Sequence, residues 1–150
     1  MTGYNAVPDQ TDADPTTTAS GAYSNPQVVA ARSRDLADQL PFGTVIAIEP
    51  VDATSTNCGA DLVGGQIGLR VVADTMNARM HNKIDVLFGT NDTVTVGGKD
   101  TNAAVALGVC QVQVKVIGKI DIKDMPRNQA ELQKVVDQQL LAVDEGSATQ

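Results

Sequence analysis

The chain has 150 residues, which is enough for one domain with its own core. Its net charge is −7, its pI is about 4.4, and it has no basic cluster, so we expect no nucleic-acid partner and no anionic membrane partner. Aromatic residues make up only 3% and Trp is absent, so the core must be built from aliphatic side chains.

Residues 1–24 are predicted to form a flexible N-terminal arm. This stretch contains Thr, Asp, Pro and Gly but no Lys or Arg, and it has no apolar periodicity. Its sizeable apolar side chains are Tyr4, Val7 and Tyr23. These residues either anchor the arm on a partner surface or lie in solvent. No secretory leader is recognisable here, and we expect synthesis in a cytoplasm.

A helix is predicted over residues 26–39. Asn25 is a favoured N-cap, and Pro26 stands at the first helical position, where a missing N–H is tolerated. Apolar residues follow at roughly helical spacing, and Pro41 ends the segment.

Strand patterns follow from Phe42 onward. Short apolar or alternating runs predict strands over 44–48, 67–72, 83–88, 93–96 and 103–107. Residues 52–60 are small and polar and predict a loop. Because residues 89–92 are typical of a turn, we expect the strands on either side of them to pair as a hairpin. Residues 97–100 predict a second turn.

The clearest β pattern is a period-2 alternation between residues 110 and 122. Even positions carry apolar side chains and odd positions carry polar ones, with Ile117 as the exception. The residues expected to face the core are Val112, Val114, Val116, Ile120 and Ile122. Gly118 is expected to mark a bulge or bend. Such alternation favours an antiparallel sheet with one solvated face.

An amphipathic helix is predicted over residues 126–143. Leu132, Val136 and Leu140 form its apolar stripe, and a polar tail follows over 144–150. Together the patterns predict a mainly β fold in one domain over 25–143. We expect a small antiparallel β barrel or sandwich with one or two helices and an extended N-terminal arm.

Few residues suggest chemistry. His81 is the single histidine and stands outside any nucleophile motif, so we expect no catalytic role for it. Cys58 and Cys110 are far apart in sequence and are expected to be reduced. Metal-ligand and phosphate-loop patterns do not occur, so we expect no metal, no cofactor and no enzyme activity. Spacing alone leaves open a carboxylate pair of the glycosidase kind, but sugar clefts usually carry aromatic platforms, of which this chain has few.

Local stretches of the chain resemble bacteriophage capsid decoration (cement) proteins. The stretch Gly21-Ala22-Tyr23-Ser24-Asn25-Pro26 is similar to a junction near the start of some of these proteins. The stretch from Val94 through Val116 is similar to their final turn and strands, and Phe42-Gly43-Thr44-Val45-Ile46 resembles their opening strand. The helix over 126–143 departs from the family pattern.

The resemblance implies a non-enzymatic virion structural protein with a β-tulip-like or barrel-like domain on the capsid surface. Proteins of this class are commonly homotrimers that bind the major capsid protein and copies of themselves. The candidate partner-binding residues are then Tyr4, Val7, Tyr23, Asn25 and Pro26. The alternatives are a phage tail-tube or other virion assembly protein, and a ligand-binding β barrel or enzyme subunit. A deep pocket with perturbed carboxylates around His81 would favour the enzyme.

Overall fold

A six-stranded mixed sheet organises the fold. The computed structural model describes residues 1–7, 14–51 and 57–148. The strands are β1 (Thr2–Asn5), β2 (Val29–Arg32), β3 (Thr44–Pro50), β4 (Arg70–Thr75), β5 (Ile84–Phe88), β6 (Thr93–Val96), β7 (Lys99–Asn102) and β8 (Val112–Lys119). The helices are α1 (Ala60–Ile67), α2 (Ala103–Leu107) and α3 (Gln129–Ala148), with 3-10 turns at Arg34–Leu36 and Ile122–Asp124.

The strand order of the large sheet is β1-β5-β2-β4-β3-β8. A mainly β fold is thus confirmed, while the described strands leave the sheet open between β1 and β8 and do not close it into a barrel. The expected antiparallel pairing holds for β8 with β3, β3 with β4, and β2 with β5. It is wrong for β1 with β5 and for β2 with β4, which run parallel.

The helix predicted over 26–39 is wrong, because this segment supplies β2 in the middle of the sheet. Val28, Val29, Ala30 and Ala31 are all at most 2% exposed. A strand covered on both faces reads as a continuous apolar run, whereas an amphipathic helix needs a polar face. The Asn25 side chain does accept the Gln27 N–H, but the turn that it caps ends where β2 begins.

The described parts of the predicted arm are built into the fold. β1 lies at the sheet edge and pairs in parallel with β5, and Tyr4 is only 7% exposed. Residues 14–25 form a turn-rich hairpin that packs on the sheet, with Ser24 N–H donating to Thr16 O and Ser20 N–H donating to Ala73 O. The central part of the predicted arm, residues 8–13, lies outside the described residues. A free arm is therefore wrong for residues 2–5 and 14–24.

Three local expectations between residues 60 and 107 are also wrong. The hairpin expected between 83–88 and 93–96 does not form, because β5 enters the large sheet and β6 pairs with β7 around residues 97 and 98. The strand expected over 103–107 is α2, whose first N–H groups are capped by Asn102 Oδ1. The strand expected over 67–72 begins at Arg70, since Ile67 ends α1. Most of the predicted loop over 52–60 lies outside the described residues.

The alternation in β8 is real, but its residues divide between two faces. Val45 pairs with Gly118 and Ile46 pairs with Val116, so Ile117 is an extra, bulged residue. Before the bulge, Val114 packs toward Ile46; after it, Ile117, Ile120 and Ile122 pack against the core under α3. A single core face for all five residues is therefore wrong, and Val116 is 56% exposed.

The sheet separates two apolar layers. One layer is covered by the 14–25 hairpin and by α3, whose Leu132 and Val136 are buried as predicted, while Leu140 is 55% exposed. The other layer is covered in part by α1 and α2 and in part by the segment that carries Leu36, Leu40 and Phe42. The helix α3 confirms the predicted amphipathic helix and runs on to Ala148, into the segment expected to be a tail.

Arg70 lies at the centre of the sheet and is 1% exposed. Its guanidinium donates hydrogen bonds to five backbone carbonyls, those of Pro26, Val29, Gln66, Ile67 and Leu87. Burial lowers the pKa of Arg70 to about 10, so the group remains charged at neutral pH. This clamp ties β2, β5 and the end of α1 to the start of β4.

Cys58 and Cys110 form a disulfide, with a Cα–Cα distance of 4.8 Å, so the expectation of two reduced thiols is wrong. Because the two cysteines are 52 residues apart, no local sequence pattern indicated this pairing. Backbone bonds from Gly59 N–H to Leu107 O and from Val109 N–H to Asn57 O bring the two segments together. Such a bond persists in oxidising compartments.

Candidate functional site

An open cleft lies on the sheet face beneath the 14–25 hairpin. Its volume is about 380 Å³. Tyr4, Asp74 and Asp85 line it together with the hairpin and the residues that follow β4. It combines ionisable side chains with space for a ligand, so it is the candidate functional site.

Strand register places the two carboxylates of the cleft. Ala31 of β2 is paired with Asp85 of β5 on one side and with Asp74 of β4 on the other. The two Asp residues are thus two strand spacings apart, about 10 Å between Cα atoms, with only a methyl group between them. A bulge at Ala73 shifts the β2–β4 register and turns Asp74 toward this face.

Asp74 is fixed by three hydrogen-bond donors. The Tyr4 hydroxyl donates to Oδ2 at 2.9 Å, and the N–H groups of Ala19 and Thr75 donate to Oδ1 at 2.9 and 3.0 Å. Burial, followed by the charge of Asp74, raises the pKa of Tyr4 well above its usual value, so this hydroxyl remains a donor. Asp74 is accordingly an oriented acceptor at one side of the cleft.

Asp85 has a different environment on the other side of Ala31. Burial is the main cause that raises its pKa to about 6, and the charge of Asp74 acts in the same direction. The Thr2 hydroxyl donates to Oδ1 at 2.9 Å and opposes the rise. Asp85 can therefore hold a proton at mildly acidic pH, which suits a general acid.

The rest of the lining combines apolar side chains, among them Met76 and Met80, with polar ones that carry little charge. Hydroxyl and amide side chains come from Thr17, Ser24, Thr75 and Asn77, and the cation is Arg34. One arginine is few for a phosphorylated ligand, while hydroxyl and amide groups suit a polyhydroxylated one. Among the described residues, no three His, Cys, Asp or Glu side chains are placed to hold a metal ion.

Of the five predicted partner-binding residues, Tyr23 and Pro26 line one shallow hollow, and the other three do not line it. Tyr4 lines the cleft, and Tyr23 is 68% exposed on the hairpin. Val7 is half-buried just after β1, and its N–H donates to Asn5 O. Asn25 is half-buried, and its side-chain amide donates to Arg127 O. The Pro26 carbonyl accepts from Arg70.

His81, for which no catalytic role is expected, is exposed between β4 and β5, next to Met80 at the cleft rim. The carboxylate with a raised pKa, Asp85, lies in the cleft. Near the histidine, hydrogen bonds led by that of Ser33 lower the pKa of the exposed Asp35.

Sequence reasoning missed both carboxylates. Asp85 interrupts the apolar run Ile84–Phe88, and a charged residue inside such a run was the available signal. Asp74 follows the apolar residues of β4 and carried a weaker signal, because only the bulge at Ala73 turns it toward the cleft.

A second concave surface lies on the opposite sheet face. This apolar groove has a volume of about 720 Å³ and is lined by residues that include Leu40, Val112, Val114 and Val116. It carries one titratable side chain, that of Lys83. The groove suits packing against another chain better than it suits chemistry.

No family model, curated protein or solved structure matches this chain in the three comparisons made. Within the described residues, no helix is both long and apolar enough to span a membrane.

Proposed function

We propose that the chain is an acid–base catalyst that cleaves glycosidic bonds in an uncharged or amino-sugar polysaccharide. The non-catalytic role expected from the sequence stays beside it as a second candidate. The observation that carries the catalytic proposal is the arrangement of Asp74 and Asp85 on either side of Ala31, in an open cleft whose lining also supplies hydroxyl and amide groups.

The separation of the two carboxylates supports this reaction class. Each of them is hydrogen-bonded to other groups, Asp74 to Tyr4 and Asp85 to Thr2. They therefore do not share one proton as an aspartic-protease pair does. Carboxylates that flank a bound sugar at roughly 5–9.5 Å are the arrangement of glycosidases, which Cα atoms two strands apart can provide.

The residues divide the chemistry between them. Protonated Asp85 donates its proton to the glycosidic oxygen, the C–O bond breaks, and the leaving sugar departs as an alcohol. Asp74, whose two oxygens are already held by donors, stabilises the positive charge that develops on the sugar ring. Water attacks this centre, and its proton returns to Asp85.

The net charge limits the class of substrate, and the disulfide limits the compartment in which the protein would act. A chain with a charge of −7 repels polyanionic polysaccharides, which favours neutral or N-acetylated sugars. The Cys58–Cys110 disulfide suits work in an oxidising environment outside a cytoplasm, where such polymers occur.

Release of reducing ends tests this proposal, with N-acetylglucosamine hexamer, bacterial peptidoglycan, a neutral β-glucan and polyanionic hyaluronan as substrates. We expect cleavage of an uncharged or amino-sugar substrate that declines as the pH rises through about 6, the pKa of Asp85. Asp85→Asn should lower kcat by at least about 100-fold. Asp100→Asn, at an exposed position of β7, is the matched control. Full activity of Asp85→Asn, or no cleavage of any substrate, would overturn the proposal.

A second candidate is the virion role, in which a β-tulip-like decoration protein binds the major capsid protein and copies of itself. The apolar groove favours it: Val116 is 56% exposed, and β8 is an edge strand that another chain can extend. Sedimentation should show an oligomer that Val116→Lys disrupts. The control Val105→Lys changes an exposed residue of α2 outside the groove and should not. A wild-type monomer would count against this candidate.

A further inference from the structure

We infer that a shallow hollow beside the cleft is a second sugar subsite, in which Tyr23 stacks on a ring of the substrate. This inference rests on the proposed function and deepens it, because it makes the preferred substrate an extended chain. The hollow has a volume of about 210 Å³, and Tyr23 and Pro26 form part of its wall.

The hollow adjoins the cleft. Pro15 and Ser24 line both cavities, so the same hairpin forms the boundary between them. That hairpin also places the Ala19 N–H on Asp74. A linear polymer held across Asp74 and Asp85 therefore extends over Pro15 and Ser24 toward Tyr23.

Tyr23 has the properties of a stacking platform. The chain has two Tyr, two Phe and no Trp. Tyr4 and Phe88 are buried and Phe42 is half-buried, whereas Tyr23 is 68% exposed. An aromatic face provides a large apolar contact at a low cost in conformational entropy.

The backbone around Tyr23 is fixed before any ligand binds. Tyr23 forms an antiparallel bridge with Thr17, and Thr18 N–H donates to Ala22 O. Gly21, with a φ of +90°, makes the tight turn between them. A platform held in place in this way adds affinity without an ordering penalty for its loop.

Equilibrium binding to the inactive Asp85→Asn protein tests the subsite separately from catalysis, with N-acetylglucosamine hexamer and dimer as the probes in calorimetric titrations. Adding Tyr23→Ala should weaken hexamer binding roughly 10-fold and leave dimer binding unchanged. Adding Tyr23→Phe, which keeps the ring, should restore hexamer binding. Thermal unfolding of both variants should match that of the parent, since the side chain is exposed.

The outcomes separate the subsite from the proposed function. Tyr23-dependent hexamer binding without cleavage by the wild type would support the subsite and overturn the catalytic proposal. Cleavage with hexamer affinity that is independent of Tyr23 would overturn the subsite alone. Equal losses for dimer and hexamer would also overturn it, because they would show a general disturbance of the hairpin. No binding of either oligomer would overturn it as well.

Discussion

Replacing Asp85 by Asn should stabilise the protein at neutral pH, although the same replacement should remove most of the catalytic activity. The pKa of Asp85 is about 6 in the folded chain, against an ordinary value of 3.8. The folded state thus binds this proton more tightly than the unfolded state does. The free energy of unfolding should fall as the pH rises from about 4 to about 6, and this loss of stability should be complete above about pH 6.

The size of the effect follows from the same two values. Their difference, at about 1.4 kcal/mol per pH unit, amounts to about 3 kcal/mol. An Asn side chain cannot ionise, and its Oδ1 can still accept the Thr2 hydroxyl. Asp85→Asn should therefore be more stable than the wild type by about 2–3 kcal/mol at pH 7.5, and nearly equal to it at pH 4.

Urea unfolding followed by far-ultraviolet circular dichroism at pH 4, 5, 6 and 7.5 measures this difference directly. Asp100→Asn removes the same charge from an exposed site and should change little across the series. A stability difference between Asp85→Asn and the wild type that does not vary with pH would refute the reasoning. Destabilisation of Asp85→Asn at pH 7.5 would do the same.

Three further perturbations test other parts of the structure. Tyr4→Phe removes one of three donors to Asp74 and should cost about 1–2 kcal/mol in thermal unfolding, whereas an unchanged midpoint would argue against the Tyr4–Asp74 bond. Arg70→Met leaves five carbonyls without their donor and should cost about 3–5 kcal/mol, with Arg70→Lys falling between it and the wild type in urea midpoint. Reducing the Cys58–Cys110 bond, which spans 52 residues, should cost about 3–4 kcal/mol; equal midpoints with and without reductant would contradict it.

Elements with a distinctive local pattern were predictable from the sequence. The strands β3, β5 and β6 carry short apolar or β-branched runs between turn residues, and α3 carries a helical stripe that includes Leu132 and Val136. The strand β2 was not predictable, because its apolar run after Asn25 and Pro26 imitates the start of a helix. Only its position between β4 and β5 makes an all-buried strand favourable there.

The candidate site was less predictable than the fold. Asp74 and Asp85 lie on β4 and β5, the two strands that flank β2 in the sheet. The strand β2 precedes both residues in the chain. Neither this strand order nor the bulge at Ala73 follows from local propensity. Tyr4 was singled out for its apolar character, but its partner Asp74 lies 70 residues away.

The Arg70 clamp has a consequence for how the protein opens. Its five acceptors belong to three separate segments, around β2, at the end of α1 and in β5. Displacing the guanidinium would leave them all without this donor at once, so a gradual loosening of one segment is unfavourable. The amide hydrogens of these segments should exchange with solvent through one shared opening event. The strands beneath the cleft would then behave as a single cooperative unit.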